Sequence, residues 1–257
     1  MKHDFRPDYV KIASFLYLDE YRRRFGKDTS GVLFNKYMTL LYKGIKENLS
    51  IDIGLPHCWY RWGDIVVTQS MPYLQFNHSD LNETTVVFAG REPMIPSDDR
   101  VVDLCRDYLK EFLSEFGQGK EGVESAVDEV YTNAPYPFQN EYRKLRESLD
   151  ISRSNQPYTN MDDYISTLFD KAMSVFPEDF SEMDDDKGDF IAVFKESLRE
   201  GAGITDLFDL CEDFWFHFCY RLRIRCNENV DRETILHWQE GLISEDRRYR
   251  RSLENSA

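Results

Sequence analysis

The chain has 257 residues, a net charge of -15 at pH 7, 41% hydrophobic residues and 14% aromatic residues. This apolar content is enough to bury a core, which excludes a chain that is disordered throughout. The excess of carboxylates argues against general affinity for nucleic acid, because phosphate binding is driven by Lys and Arg. The acidic residues lean towards Asp and the basic residues towards Arg. This balance suits the cytoplasm of a halophilic archaeon, and an ordinary acidic cytoplasmic protein is the alternative.

The cysteines and the apolar stretches indicate the cellular compartment in which the protein is expected. Five cysteines form an odd, widely spaced set without a CxxC pair, so neither a disulfide framework nor a zinc ribbon is predicted. No basic stretch followed by an apolar run predicts a signal peptide. The most apolar stretch, residues 210–220, is far shorter than the roughly 20 residues of a spanning helix. We therefore expect a soluble, cytoplasmic protein, with no cofactor and no metal.

Apolar residues recur every three or four positions over most of the chain, which predicts a mainly α fold. Expected N-caps are Thr29 or Ser30, Asn160, Asp231 and Ser244, and expected stops are Gly26, Gly117, Pro177, Gly201 and Gly241. The predicted helices are 8–25, 30–45, 98–116, 121–131, 138–149, 161–176, 189–199, 205–226, 231–239 and 244–253.

Between residues 51 and 90 the apolar period changes from helical to alternating. Two sets alternate, and residues 84–89 form a β-branched run; the sets are Ile51, Ile53 and Leu55, and Cys58, Tyr60 and Trp62. Two or three short strands in one small antiparallel sheet are predicted here. The polar stretch 150–158 is the predicted linker. It divides residues 1–149, a helical domain with the small β element, from residues 159–257, a helical region that either stands alone or packs with the first.

Residues 55–64 contain two Trp, a Tyr, a His, a Cys and an Arg. In a strand, alternate side chains face opposite ways, so one face joins the core and the other is presented. Large aromatic residues and Arg are typical anchors of binding interfaces. Gly63 is expected to turn the chain and Asp64 to cap a helix that starts at Ile65 and is limited by Pro72. The predicted binding residues are His57, Trp59, Tyr60, Arg61, Gly63 and Asp64; the alternative is an aromatic core strand followed by a turn.

Two motifs carry a family resemblance. Residues 34–42 (Phe-Asn-Lys-Tyr-Met-Thr-Leu-Leu-Tyr) and 59–64 (Trp-Tyr-Arg-Trp-Gly-Asp) resemble the Panacea-type (SocA-like) antitoxin domain over about residues 5–73. That family has Pro where this chain has Asp64. The resemblance implies an antitoxin-like regulatory module. Residues 55–61 and 135–139 are also similar to an uncharacterised haloarchaeal family, which implies no activity.

Several chemistries are weaker fits. Adjacent His57 and Cys58 chelate one ion poorly, and in a strand they face opposite ways, which disfavours a nucleophile pair. The cysteines at 211, 219 and 226 share a helical face with aromatics, which is typical of core residues. An EF-hand loop starting at Asp184 would place Lys195 where a bidentate Glu is needed, so residues 184–189 are interpreted as a solvated acidic loop.

Three arginine clusters complicate the acidic picture, at residues 22–24, at 221, 223 and 225, and at Arg247, Arg248, Arg250 and Arg251. Clusters on an acidic protein usually pair with nearby carboxylates. The C-terminal cluster, interleaved by Tyr249, is the best candidate for contact with phosphate or an acidic partner. Three functions follow: a non-enzymatic protein-interaction or regulatory module, a winged-helix-like nucleic-acid-binding regulator, and an enzyme with a His57/Asp64 acid–base pair.

Overall fold

The computed structural model describes residues 7–78, 84–117, 119–154 and 161–256. The chain forms two compact units. Unit 1 comprises Met1–Thr132 and Asn227–Asp231, and unit 2 comprises Asn133–Cys226 and Arg232–Ala257. The predicted fold class, mainly α with a small antiparallel β element near residues 51–90, is confirmed.

The described residues of unit 1 form four helices, and local sequence signals set the end of the first and the start of the second. Ser30 accepts a hydrogen bond from the Leu33 amide, which satisfies one of the free N–H groups at the start of the second helix. Gly26 adopts φ 66 and ends the first helix, as predicted. The buried rings of Tyr17 and Tyr37 stack at 4.3 Å between helices. The helices are α1 (Tyr9–Phe25), α2 (Gly31–Leu49), α3 (Arg100–Glu115) and α4 (Gly119–Tyr131).

Over the residues that the structure describes, the strands of unit 1 form two antiparallel sheets of three strands each, with the orders β1-β5-β4 and β3-β2-β6. The prediction of one sheet is therefore corrected. Two strands come from outside residues 51–90 and each joins a different hairpin; with two residues apiece, they are too short to show alternation. The strands are β1 (Thr29–Ser30), β2 (His57–Tyr60), β3 (Gly63–Val66), β4 (Leu74–His78), β5 (Thr84–Phe88) and β6 (Asn227–Glu228), and residues 68–70 form a 3-10 turn.

Unit 2 is helical over its described residues, with an aromatic core. The helix Ile204–Arg225 contributes three fully buried rings, Phe214, Trp215 and Phe218. Trp215 stacks on Tyr142 at 5.4 Å and Phe214 stacks on Phe190 at 4.1 Å, so three helices share one ring cluster. The helices are α5 (Pro137–Ser154), α6 (Met161–Ser174), α7 (Asp184–Arg199), α8 (Ile204–Arg225) and α9 (Arg232–Ser256), and Glu178–Met183 is a 3-10 helix.

Two helical predictions in unit 2 are corrected. Gly241 was expected to end one helix and Ser244 to cap the next, but α9 is continuous through both. A Cβ at position 241 would lie 2.0 Å from Tyr220 Oη, so the glycine permits close packing rather than a stop. Residues 184–189, expected as a solvated loop, begin α7. Carboxylates in a first turn are favoured by the helix dipole.

The division between the units also differs from the predicted one. It falls after Thr132, and residues 227–231 return to unit 1. Residues 150–154 of the predicted linker continue α5, where Ser152 Oγ donates to the Ser148 carbonyl at 2.6 Å and Arg153 pairs with Asp150 at 2.7 Å. Polar composition therefore did not interrupt the helix. Residues 155–160, with the predicted cap Asn160, lie outside the described residues.

Candidate functional site

The predicted binding segment folds as the β2–β3 hairpin. His57 pairs with Val66 and Tyr60 with Gly63, so Arg61 and Trp62 form its tip. Gly63 has φ 88, a backbone conformation that favours glycine, and the predicted turn is confirmed. The prediction that Asp64 caps a helix at Ile65 is wrong, because after this turn residues 63–66 pair with β2 as a strand.

Burial divides the six predicted residues. His57 and Trp59 are each only 8% exposed, and Trp59 packs edge-to-face on Tyr131 with ring centroids 5.7 Å apart. These two are core residues, so the expectation that one face of the strand is presented is corrected: β2 is buried on both faces. Trp62, which was not among the six, is 57% exposed at the tip. The Arg61 guanidinium lies 6.0 Å from the centre of its ring.

A buried lysine positions the tip. Lys36 on α2 is fully buried, and its Nζ donates to the carbonyl of Trp62 and, at 3.0 Å, to the carbonyl of Asp64. A Cβ at Gly63 would lie 3.1 Å from this Nζ. The ammonium thus contacts the backbone on both sides of Gly63, next to Trp62. Sequence reasoning missed Lys36, although it is the one charged residue between positions 31 and 42.

The residue next to Lys36 fixes the second strand of the hairpin. Asn35 Oδ1 accepts a hydrogen bond of 2.8 Å from the Val66 amide, and its Nδ2 donates to the Gly31 carbonyl at 2.7 Å. Since β3 is the outer strand of its sheet, its amides lack a strand partner on one side. Two neighbouring side chains of α2 therefore satisfy backbone groups at the tip and at the outer strand.

The structure brings His57 and Asp64 together. His57 Nδ1 lies 2.8 and 3.0 Å from the two carboxylate oxygens of Asp64, across the hairpin. Within the described residues, Nε2 is buried without a hydrogen-bond partner. A carboxylate on Nδ1 orients an imidazole as in acid–base pairs. A substrate atom would reach Nε2 only if the hairpin moved, so the geometry favours a structural pair and acid–base chemistry stays a hypothesis.

A hydrogen-bonded cluster attaches β6 to α2. Tyr42 Oη donates to Glu228 Oε2 at 2.8 Å, and Lys46 Nζ donates to the same oxygen at 2.5 Å. The bond from Lys46 lowers the pKa of Glu228 below its usual value. Burial, and then the bond to Glu228, raises the pKa of Tyr42 to about 12. The Tyr42 ring also lies 4.9 Å from the His57 ring, so the cluster and the hairpin pack together.

Unit 2 contains a buried polar network that sequence reasoning also missed. His217 Nε2 lies 2.9 Å from Asp186 Oδ2, and Arg221 Nη1 lies 3.2 Å from His217 Nδ1. Arg221 Nη2 donates to Asp246 at 2.8 Å. Burial lowers the pKa of His217, as does the Arg221 charge. A neutral imidazole that donates to Asp186 and accepts from Arg221 fits this arrangement, which joins α7, α8 and α9.

The arginines of the predicted C-terminal cluster differ in the residues that they contact. Arg250 Nε lies 3.4 Å from Asp186, whereas Arg248 Nε donates to Glu245 at 3.1 Å. The expected pairing with a carboxylate three or four positions away is thus seen for Arg248, and for Arg23 with Glu20, whereas Arg250 contacts a carboxylate 64 positions away. Arg247 and Arg251 remain as the candidate contacts.

The described residues offer no cluster of metal ligands and no helix that could span a membrane. In the parts of the chain that the structure describes, no group of three or more His, Cys, Asp or Glu side chains is placed to hold a metal ion. Burial raises the pKa of Cys105 and of Cys211 to about 12, which suppresses their thiolates. Among the described helices, none combines the length and apolar content needed to cross a membrane.

Comparison with protein-family models, with curated proteins and with solved structures finds no match to this chain.

Proposed function

We propose that the chain is a non-enzymatic protein-interaction module whose anchor is the hairpin tip, with Trp62 as the central contact. The observation that carries this proposal is the 57% exposure of a tryptophan at a turn whose flanking carbonyls are bound by a fully buried lysine. Exposed large aromatics at interfaces contribute most when they enter a pocket of the partner. The partner is therefore a protein with an apolar pocket that accepts an indole.

The cost of burying Lys36 supports this function. Taking an ammonium group out of water costs several kcal/mol unless hydrogen bonds compensate for it. Here the bonds to the Trp62 and Asp64 carbonyls compensate, and they also fix the backbone that carries the indole. A rigid anchor loses little conformational entropy on binding, which increases affinity.

An antitoxin-like role, which the resemblance to the Panacea-type domain implies, is one form of this proposal, and it would make the partner a toxin protein. The winged-helix-like alternative has less support. In a helix-turn-helix, the second helix lies in the DNA major groove. The second helix of this chain, α2, buries eleven of its nineteen residues, which leaves little surface for a groove.

The test compares Trp62→Ala with Tyr164→Ala, since Tyr164 is an aromatic of similar exposure (54%) in unit 2. Both variants and the native chain are used to capture partners from the source cells at native salt. Any stoichiometric protein is then purified and titrated. We expect Trp62→Ala to weaken binding by a factor of about 30 or more, as for an interface hot spot of about 2 kcal/mol.

The same titration also yields the results that would contradict the proposal. Both substitutions are at exposed positions, so we expect each to change the free energy of unfolding by less than about 0.5 kcal/mol. A partner that binds Trp62→Ala as tightly as the native chain would disprove the anchor. Equal weakening by Tyr164→Ala would place the contact elsewhere.

A further inference from the structure

An exposed cleft lies between α8 and α9 in unit 2. It has a volume of about 550 Å³ and is lined by Asp213, Ser244, Arg247, Arg248, Arg251 and Ser252. Three arginines face one aspartate, so the lining is positive on a chain whose net charge is -15. A local positive cleft in an acidic protein concentrates small anions from solution.

Two of these arginines make no ion pair or hydrogen bond with the residues that the structure describes. Arg247 and Arg251 are exposed and four residues apart, which places them one turn apart on the same face of α9. Neither has an ion pair or a hydrogen-bond partner among residues 7–78, 84–117, 119–154 and 161–256. Other exposed arginines of unit 2 do pair, including Arg199 with Glu196 and Arg225 with Glu182 at 2.8 Å.

The other charged groups of the cleft contact one another. The Arg248 guanidinium lies 4.3 Å from the centre of the Phe216 ring and 3.9 Å from Asp213 Oδ1, and its Nε donates to Glu245. Asp213 also accepts a hydrogen bond from the Ser252 hydroxyl. The single carboxylate of the lining is therefore balanced inside the cleft, and the donors of Arg247 and Arg251 are left for a ligand.

We propose that this cleft binds the phosphate group of a small phosphorylated molecule. Arg247 and Arg251 supply planar forks of N–H donors that match the tetrahedral oxygens of a phosphate, and the Ser244 hydroxyl supplies a further donor. A phosphate ester carries more charge and more acceptor oxygens than a carboxylate, so it uses both guanidinium groups at once.

The neighbouring surface argues for a compact ligand rather than nucleic acid. Arg250 faces a second cleft, next to Asp186, which carboxylates line: Asp184, Asp185, Asp186, Asp189 and Glu254. The four arginines of residues 247–251 therefore do not form one continuous basic surface. A duplex requires contacts to successive phosphates, and the second cleft would repel them.

The test is calorimetric titration of the whole chain with inorganic phosphate and with pyrophosphate at constant ionic strength. We expect pyrophosphate to bind, and we expect Arg247→Ala/Arg251→Ala to weaken its binding by a factor of about ten or more, because hydrogen bonds to charged groups are lost. Arg22→Ala/Arg24→Ala removes the same charge from exposed residues of unit 1 and should bind as the native chain does. Arg247→Lys/Arg251→Lys should show an intermediate loss, since it keeps charge without the fork.

The remaining arms decide the source of the phosphate. Vesicles of phosphatidic acid, compared with vesicles of phosphatidylcholine, test whether the phosphate belongs to a lipid headgroup. If the native chain binds the phosphatidic acid vesicles and the Arg247→Ala/Arg251→Ala variant does not, the phosphate is assigned to a lipid. If the native chain binds no vesicles, the phosphate is assigned to a soluble ester. The proposal is overturned if pyrophosphate does not bind, or if the unit 1 control loses binding equally. Binding of a labelled duplex without pyrophosphate binding would overturn it in favour of nucleic acid. Circular dichroism of each variant confirms that it is folded.

Discussion

Lys36 in unit 1 and Arg221 in unit 2 are both buried cations on long helices, 0% and 5% exposed, yet they bind different kinds of group. Lys36 donates to neutral backbone carbonyls of the nearby hairpin. Arg221 contacts the carboxylate of Asp246 and the imidazole of His217. The first cation thus fixes the geometry of a turn, whereas the second completes a charge network between three helices.

The two cations therefore act over different distances. A carbonyl released from a lysine at a turn can be solvated by water once the hairpin loosens, so the effect of losing Lys36 stays local. The Asp186 carboxylate, which lies 3.8 Å from Arg221 Nη2 and is 5% exposed, cannot be solvated unless the helices of unit 2 separate. We therefore expect loss of Arg221 to weaken all of unit 2 and loss of Lys36 to free one hairpin.

The largest effect is expected for Arg221→Met. Removing one member of a buried charge network leaves the others uncompensated, and it should lower the free energy of unfolding by about 3–5 kcal/mol. Urea unfolding followed by tryptophan fluorescence measures this loss. The control is Arg199→Met, because the Arg199 side chain is 71% exposed in a surface pair with Glu196. A loss no larger than in the control would show that Arg221 is dispensable to the network.

A smaller and local effect is expected for Lys36→Met. The methionine fills similar volume, but the carbonyls of Trp62 and Asp64 lose their donor, which costs about 1–3 kcal/mol. Hydrogen exchange should become faster at the amides of residues 61–64 and stay unchanged in α3. Lys120→Met, whose side chain is 89% exposed, serves as control. Unchanged protection of the hairpin in Lys36→Met would mean that the lysine does not position the tip.

The smallest effect concerns pH and His217. Burial and the Arg221 charge lower the pKa of His217 from its ordinary 6.5, so the folded chain binds this proton less readily than the unfolded chain. Stability is therefore full above the unfolded pKa and declines as pH falls from about 6.5 towards the folded pKa. The pKa of Asp186 is also lowered: burial opposes this shift, and His217, Arg250 and Arg221 outweigh burial. Its contribution is lost in the same direction, from about pH 4 downwards.

Urea midpoints measured between about pH 7.5 and about pH 5.5 check this sign. The midpoint should fall in the native chain and in His237→Gln, since His237 is exposed. It should fall less in His217→Gln, which has no imidazole to protonate. A midpoint that rises as pH falls would contradict the direction of the His217 shift.

Much of the fold could be predicted from local signals. The left-handed Gly26 and the cap Ser30 act on their own neighbours, so the local sequence suffices to place the end of α1 and the start of α2. The amphipathic stripe of α3 likewise needs only its period. The turn at Gly63 was predicted for the same reason, because it depends on one residue's backbone conformation.

The parts that could not be predicted depend on residues distant in the chain. Whether Trp59 or Trp62 is exposed depends on Tyr131, which packs against the first. Gly241 has the composition of a stop, but it serves to admit the Tyr220 hydroxyl from another helix. Lys36 occupies a core position because a hairpin more than twenty residues later supplies its acceptors. The hydrophobic period and the composition of a segment do not show which distant residues it contacts.

The pairing of β6 with β2 has a consequence for synthesis on the ribosome. His57 is made early, and its strand partner Glu228 emerges only after more than half of the chain has followed. Such a distant contact forms late, because closing a long loop costs conformational entropy before the contact can stabilise the chain. The sheet that contains the hairpin is therefore completed only when most of unit 2 has been translated. A chain truncated after residue 226 would expose β2 as an open edge for aggregation.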